Sequence, residues 1–430
     1  MNDGLTREQP LEGQPLGRGD PSSRHAMINE QPAHNAQKTL ADFRDHLARH
    51  DKPIAFFFGA GTSCAVRVPS ATDKSKVEPL IPAVAGLTVI AKKDAAALGD
   101  KYARAWRLVE AHCEQTGQDP NVENVLSRLR MMVSAVGNAD TLAGLNKGEL
   151  EELEESVRKT IARVVTPDLT TIQGNFPHQQ FARWLAKTSR QTPVEIFTVN
   201  YDVLIEHGME TERIPLFDGF VGSHRPFFHP DSLRRKESAP GATWTRLWKM
   251  HGSVTWRRIK QDGRFRVIRG EPDPAGEMIY PSFQKYDESR QQPYAAFTDR
   301  LSRFLEQDDA LLIVAGFSFG DEHINNLIFG ALENRPRTHV YALQFDEPPD
   351  EADLAKRAGQ RPNMIVVGPE SGIIGGRRAP WVPIESPTFM ATVFELKEEE
   401  PAGGDAAKLG RMKIGDFARL SAFLEAMTAG

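Results

Sequence analysis

Asn200 and Asp202 stand two residues apart in Thr198-Val199-Asn200-Tyr201-Asp202, directly after the apolar run Val194, Ile196 and Phe197. Positions two apart on an extended backbone return to the same side, so an amide and a carboxylate can address one crevice. The plainer reading is a strand-terminating Asn and an Asp that caps the helix of Leu204 and Ile205. His251 follows a second apolar stretch, in Met250-His251-Gly252-Ser253. An imidazole titrates near neutrality and can serve as a general base, and the neighbouring Gly leaves it accessible. A lone His is more often structural, and others such as His207, His224, His229 and His323 dilute the signal.

Two glycine-bearing turns accompany these residues. Gly59-Ala60-Gly61-Thr62-Ser63 follows the apolar run Ile54 to Phe58 and is set to open a helix. Small residues there let backbone N–H groups approach a phosphate, whose charge a helix N-terminus favours. The segment lacks the third glycine of the dinucleotide fingerprint and the lysine of a P-loop, so a plain tight turn is the alternative. Gly316-Phe317-Ser318-Phe319-Gly320-Asp321-Glu322-His323 follows Leu311 to Ala315. It reads as a second phosphate- or ribose-binding turn, or as a loop whose Asp321 caps the helix of Ile324, Leu327 and Ile328. Three adjacent residues, Asp321, Glu322 and His323, cannot all point at one ion, so no metal ligands are assigned. The acidic run Glu149 to Glu155 reads as a solvated helix face, and the Arg and Lys of 233–236 as a solvated loop.

The elements that must carry these residues follow from periodicity. Val194 to Val199, Trp248 to Met250, Leu311 to Ala315, Val340 to Leu343 and Ile365 to Val367 are continuous rather than alternating apolar runs. Such strands suit a parallel sheet covered on both faces, with ligands beyond its carboxyl ends. Between about Leu98 and Lys187 the pattern is helical. Leu150, Leu153, Val157, Ile161 and Val164 recur at three and four residues before Pro167, and Val122, Val125, Leu126 and Leu129 form a similar stripe. The expected fold is α/β, a Rossmann-like doubly wound parallel sheet split by a helical insertion at about 98–187, with no zinc ribbon. Residues 1–35 read as a flexible polar arm and 36–395 as the main domain. An acidic linker, Glu398 to Asp405, and a short helix bearing Phe417, Leu420, Leu424 and Met427 make up 396–430. Residues 221–243 and 258–292 read as long functional loops.

Bulk properties set further bounds. With 430 residues, 40% hydrophobic and 26% charged, the chain has the composition of a soluble globular protein. Its net charge of −5 argues against a dedicated polyanion-binding surface, although a local basic groove fits inside a balanced total. Direct nucleic-acid binding is therefore not expected. Cys64 and Cys113 are too few for a four-cysteine zinc site or a disulfide framework, which suits a reducing cytoplasm. No apolar run has transmembrane length, and the amino terminus lacks the apolar core of a signal peptide.

In their order, the four segments resemble the sirtuin family. Gly59-Ala60-Gly61-Thr62-Ser63 looks like its Gly-Ala-Gly-x-Ser turn, and Asn200 with Asp202 its Asn-x-Asp. His251-Gly252 looks like its catalytic His-Gly, and Gly316-Phe317-Ser318 its Gly-Thr-Ser turn. Thr198 to Glu206 and Gly316 to Asn325, with Asn121 to Leu126, are similar to the bacterial sirtuin-like proteins of anti-phage defence. The resemblance spans about residues 50–370. It implies NAD⁺ as substrate, Asn200 placing the ribose or a water, Asp202 holding the carboxamide and His251 acting as base. It further implies that Ala60, Gly61, Thr62 and Ser63 hold the pyrophosphate, with Ser318 on the adenosine side, where Gln344 or Asp346 are further candidates. The implied activity is NAD⁺ hydrolysis to nicotinamide and ADP-ribose, in a homo-oligomer or beside a HerA-type hexameric ATPase. The absent cysteine pairs of the zinc ribbon, and Val199 where the family has Gln, mark departures from the deacylases. A protein deacylase and a non-catalytic NAD or ADP-ribose sensor are the alternatives.

Overall fold

The computed structural model describes residues 33–70, 72–261, 263–273, 292–382, 391–396 and 410–428. The expected arm up to residue 32, the acidic linker 398–405 and the loop segment 274–291 lie outside the described residues.

The strands in the first half of the chain are β1 (His34–Asn35), β2 (Ile54–Phe58), β3 (Arg67–Pro69), β4 (Val77–Pro79), β5 (Glu195–Thr198), β6 (Leu216–Phe217), β7 (Phe220–Val221) and β8 (Phe227–Phe228). They continue as β9 (Thr245–Lys249), β10 (Trp256–Gln261), β11 (Arg264–Arg269), β12 (Leu311–Ala315), β13 (His339–Leu343), β14 (Met364–Val367), β15 (Ser371–Ile374) and β16 (Arg377–Val382). The central sheet runs β1-β16-β15-β14-β13-β12-β2-β5-β9-β6. From β14 to β6 every neighbouring pair is parallel. An edge of antiparallel pairing at β14-β15 and β15-β16 extends it.

The strand order reverses at β2. From there the chain builds toward β5 and β9, then returns to the other side of β2 with β12, β13 and β14. The switch point therefore lies between β2 and β12, where Phe58 is level with Ala315. The two residues that follow are Gly59 and Gly316. Ligands of open α/β sheets sit in the crevice at such a point.

Both faces are covered, which is why the strands read as unbroken apolar runs. Phe56, Phe58, Ile196, Ile313 and Leu343 pack beneath helices α1 (Ala36–Ala48), α7 (Pro177–Ala186) and the carboxyl-terminal helix Phe417–Ala426. Phe57, Phe197, Trp248, Leu312 and Val314 face the helices Tyr294–Leu305 and Glu322–Asn334.

Helices α3 (Val84–Ala97), α4 (Asp100–Gln115), α5 (Val122–Ala135) and α6 (Lys147–Val164) have a separate core built from the Val122/Leu126/Leu129 and Leu150/Leu153/Val157 stripes. Asn121 caps α5, and Asn146 with Glu149 forms a capping box at α6. This core begins at α3, before Leu98, because α3 packs mainly through the small Ala91 and Ala95. Helix α7 joins the sheet instead. Residues 258–261 and 264–269, read from sequence as loop, form most of strands β10 and β11. Asp262-Gly263 is a hairpin signal that the density of charge obscures.

Candidate functional site

The glycines of the two turns face one another. The Gly61 N–H donates to the Gly316 carbonyl at 2.9 Å, and the Gly59 N–H to Ala315 at 3.1 Å. A Cβ on Gly61 would lie 2.7 Å from Gly316 Cα, and one on Gly316 (φ +64°) would lie 2.5 Å from Thr62 N. Glycine is required at both positions for the backbones to meet at the switch point. The interlock uses the Gly61 N–H, and Thr62 N–H is bound to the Gly59 carbonyl at 3.0 Å. Ala60, exposed at the start of the short helix α2 (Ala60–Cys64), keeps an N–H with no hydrogen bond among the described residues.

Asn200 lies behind this turn, 7% exposed. Its Nδ2 donates to the Gly59 carbonyl at 3.0 Å and lies 3.1 Å from Thr62 Oγ1 and 3.0 Å from Ser63 Oγ. A carbonyl only accepts, so Gly59 fixes which way the amide points. The NH₂ is saturated, and what Asn200 can offer a ligand is the acceptor Oδ1. Thr62 donates to the Gly59 carbonyl at 2.9 Å, and Ser63 Oγ donates to Asp202 Oδ2 at 2.7 Å. The side chains of Thr62 and Ser63 are thus buried partners of Asn200 and Asp202 rather than groups turned to the surface.

Asp202 also caps helix α8 (Leu204–Thr211), with Oδ1 accepting from Leu204 N at 3.0 Å. Asp202 thus binds both the glycine turn, through Ser63, and the start of α8. Beneath it Lys249, the last residue of β9, has a side chain only 3% exposed. Its ammonium donates to the Asp202 backbone carbonyl and to Glu206 Oε1, the latter at 2.9 Å. Burial pushes the Glu206 carboxyl above the ordinary carboxylate range, against the pull of Lys249. An enclosed ammonium needs such partners, since desolvating it alone costs several kcal/mol, ~3–5 when one partner is lost.

His251 follows Lys249 and Met250, and its Nε2 lies 3.2 Å from Asp321 Oδ2, with both side chains nearly buried. Asp321 caps the helix Glu322–Asn334 through Oδ1, to His323 N at 3.0 Å. A carboxylate beside Nε2 favours the tautomer with the proton there, leaving Nδ1 with the lone pair. Sequence reasoning weighed Asp321 as a cap and, with Glu322 and His323, against a metal, and missed it as the partner of His251. The available signal was an acid at the carboxyl end of a strand in the same sheet.

In the second turn the side chains divide. Phe317 is buried, 4.8 Å from the Phe57 ring and 5.1 Å from Phe319, so it belongs to the core. Ser318 is exposed. Phe319 holds φ +57°, a strained conformation for a bulky residue, and Asn325 Nδ2 secures its carbonyl at 2.7 Å. Gln344 reaches the Phe317 carbonyl at 3.4 Å, and Asp346 is exposed. Among the described residues no group of three or more His, Cys, Asp and Glu could hold a metal ion. Burial pushes the Cys64 thiol up, away from reactive thiolate.

The structure therefore brings Gly59, Ala60, Gly61, Thr62, Ser63, Asn200, Asp202 and Gly316 into one connected assembly at the switch point. His251 and Asp321 form a second pair, each at the carboxyl end of a strand of the same sheet. Glu195, the buried acid bound by Arg300 and by Trp248 Nε1 at 2.7 Å, stands at the opposite, amino end of β5 and is a structural clamp.

Residues 194–362 match the family model of the SIR2-like domain. The matched segment runs from the start of β5 past β13 and holds Asn200, Asp202, His251 and the Gly316–Ser318 turn, while the Gly59–Ser63 turn and helices α3–α6 lie before it. SIR2-like domains use NAD, so the match associates this part of the chain with NAD-related activity. No curated protein matches the chain.

Proposed function

We propose, with the SIR2-like match as premise, that the protein hydrolyses NAD⁺ at the nicotinamide–ribose bond, giving nicotinamide and ADP-ribose. The observation that carries this reading is the orientation of Asn200. Its amide is held by Gly59 so that only Oδ1 is offered, an acceptor suited to a ribose hydroxyl or an attacking water.

Cleavage of a glycosidic bond passes through an oxocarbenium-like state. Nicotinamide departs with the bonding electron pair, water adds at the anomeric carbon, and the water's proton leaves through a base. His251 is that base, through Nδ1, with Asp321 holding the ring. Asn200 Oδ1 places the water or the ribose, which supplies rate through orientation. The Ala60 N–H, at the mouth of the switch point, and the exposed Ser318 are assigned to the phosphates and the adenosine side. Both Asp202 oxygens already serve Ser63 and the α8 cap. A carboxylate oxygen can accept twice, so contact with the carboxamide remains compatible with that bracing role.

The forms Thr198 to Glu206 and Gly316 to Asn325 support a cytoplasmic role in anti-phage defence by NAD depletion. An activity of that kind needs restraint, for which self-association or a HerA-type ATPase partner is the corresponding proposal. A deacylase is disfavoured because two cysteines cannot supply the zinc ribbon.

Incubating the protein with NAD⁺, alone and with partner proteins, and following nicotinamide and ADP-ribose tests the reading. Release without an acylated peptide is expected, reduced ~100-fold or more in Asn200→Ala and His251→Ala, the range for removing a general base. Turnover that requires an acyl-lysine peptide, or tight NAD⁺ binding without turnover under every condition, overturns it.

A further inference from the structure

The net charge of −5 hides a strong local segregation. Between Trp256 and Gly270 the chain carries Arg257, Arg258, Lys260, Arg264, Arg266 and Arg269 against the single acid Asp262. The structure folds this segment into the β10–β11 hairpin, an edge of a small sheet ordered β10-β11-β8-β7. Near its root the charges are matched. Arg257 pairs with Asp273 at 2.8 Å and Arg269 with Asp218 at 2.5 Å. Toward the tip, Lys260 and Arg266 have no ion pair among the described residues.

Register decides which side chains share a face. Lys260 is opposite Phe265 and Arg258 opposite Val267, so Arg258, Lys260 and Phe265 lie together on one face. Phe265 is 64% exposed, and the Arg258 guanidinium lies 4.7 Å from its ring centroid. Strand geometry puts Arg258 and Lys260 about 7 Å apart along the face. Phe227 on β8, paired with Ile268 of β11, is 41% exposed and follows Arg225 by two residues. A merely solubilising surface mixes both signs of charge and keeps large apolar groups few. Here two cations flank one open aromatic ring on a single face.

We propose that the β10–β11 hairpin is a docking arm for single-stranded nucleic acid, with Arg258 and Lys260 on the phosphates and Phe265, on the same face, as a stacking platform for a base. Cations that track a backbone, interleaved with aromatic rings that take bases of any sequence, are the recognition chemistry of such strands. Duplex bases are already stacked on each other and cannot use Phe265. An acidic protein surface would answer the charges, whereas a single strand supplies phosphates and a stacking base at every nucleotide. The arm is rooted in the candidate site. Gly270 N donates to the Thr255 carbonyl at 2.8 Å, Asp273 N to Val254 at 2.9 Å, and Val254 N to Tyr201 at 3.1 Å. The root of the arm is therefore tied to Val254 and Tyr201, neighbours in sequence of His251 and Asn200. The proposal does not depend on NAD⁺ hydrolysis.

Fluorescence anisotropy of a labelled oligothymidylate of about 20 nucleotides, titrated with the full chain across a salt series, tests it. Binding that weakens with salt is expected. Arg258→Glu/Lys260→Glu should lower affinity at least ~10-fold and flatten the log–log salt slope by about 1.4, two phosphate contacts at ~0.7 each, whereas Arg266→Glu, on the opposite face, should leave the slope nearly unchanged. Phe265→Ala should lower affinity ~10-fold with the slope unchanged, the loss of one stacked base. Arg258→Gln/Lys260→Gln, the milder pair, should fall between, and all variants should keep the wild-type thermal midpoint. Absence of binding at low salt, unchanged affinity in the variants, or preference for a duplex or polyglutamate over the single strand overturns the proposal.

Discussion

At the scale of single residues, Asn200 is locked by its amide while its Oδ1 is the acceptor left to offer a ligand. Its spacing from Asp202 was legible in the sequence, as was the competing role of Asp202 as a cap. What sequence could not show is that the amide is turned onto Gly59, Thr62 and Ser63, partners 137 to 141 residues away. The same holds for Thr62 and Ser63, whose types suit phosphate binding but whose hydroxyls point inward. A sharp consequence follows for Asn200→Asp. The substitution keeps the shape and sets a carboxylate against the Gly59 carbonyl, which has no proton to give. It should cost at least ~2 kcal/mol, and more than Asn200→Ala, because it leaves a buried charge facing an acceptor. Protonation of the new acid should restore part of the loss. Denaturant unfolding at neutral and mildly acidic pH decides this, and an Asp variant as stable as Ala at neutral pH would refute the fixed amide orientation.

At the scale of elements, the candidate site is a junction of turns rather than a cavity in one segment. The Gly61–Gly316 interlock joins β2 to β12, and Asp202 joins β5 to α8. A satellite cluster of Val66, Ala162, Val165, Leu204 and Val254, with Tyr201 against it, connects α6 to the segments after the glycine turn, after Asn200 and after His251. The helical insertion is thereby packed against three site loops, a contact no periodicity reveals. Lys249 and Glu206 brace the same junction, and their roles separate by substitution. Lys249→Met should destabilise by ~3–5 kcal/mol, since it strands Glu206 without a counter-charge. Lys249→Met/Glu206→Leu should regain most of that stability, because apolar replacement of both partners is often neutral. If the pair also positions Asp202, the double variant stays folded yet turns over NAD⁺ slowly. Recovery of stability with full turnover would limit the pair to support.

At the scale of the whole molecule, continuous apolar runs were enough to expect a doubly wound parallel sheet, because burial on both faces writes itself into composition. The antiparallel edge at β15 and β16 was not expected. Its strands are short, half-buried and joined by Gly375-Gly376, a turn signal without long runs around it. The carboxyl-terminal helix was visible as a stripe, but only the fold shows Phe417 against Phe58 at 4.9 Å and against His178 at 4.9 Å. That closure sets an acid limit on stability. His178 is 2% exposed, and neither ring nitrogen has a hydrogen-bond partner among the described residues. Burial lowers its pKa from 6.5 to about 4. The folded state keeps the ring neutral while the unfolded chain binds a proton, so stability is full above 6.5, falls as pH drops toward 4, and then levels. Each pKa unit is worth about 1.4 kcal/mol, so this group alone accounts for ~3 kcal/mol across the interval. Glu206, raised by burial, acts with the opposite sign above its ordinary pKa, gaining stability as pH falls. Comparing wild type with His178→Met at each pH isolates the histidine. The variant's unfolding free energy should lose less between pH 6.5 and 4, and parallel curves would show that the ring is charged or hydrated inside the fold.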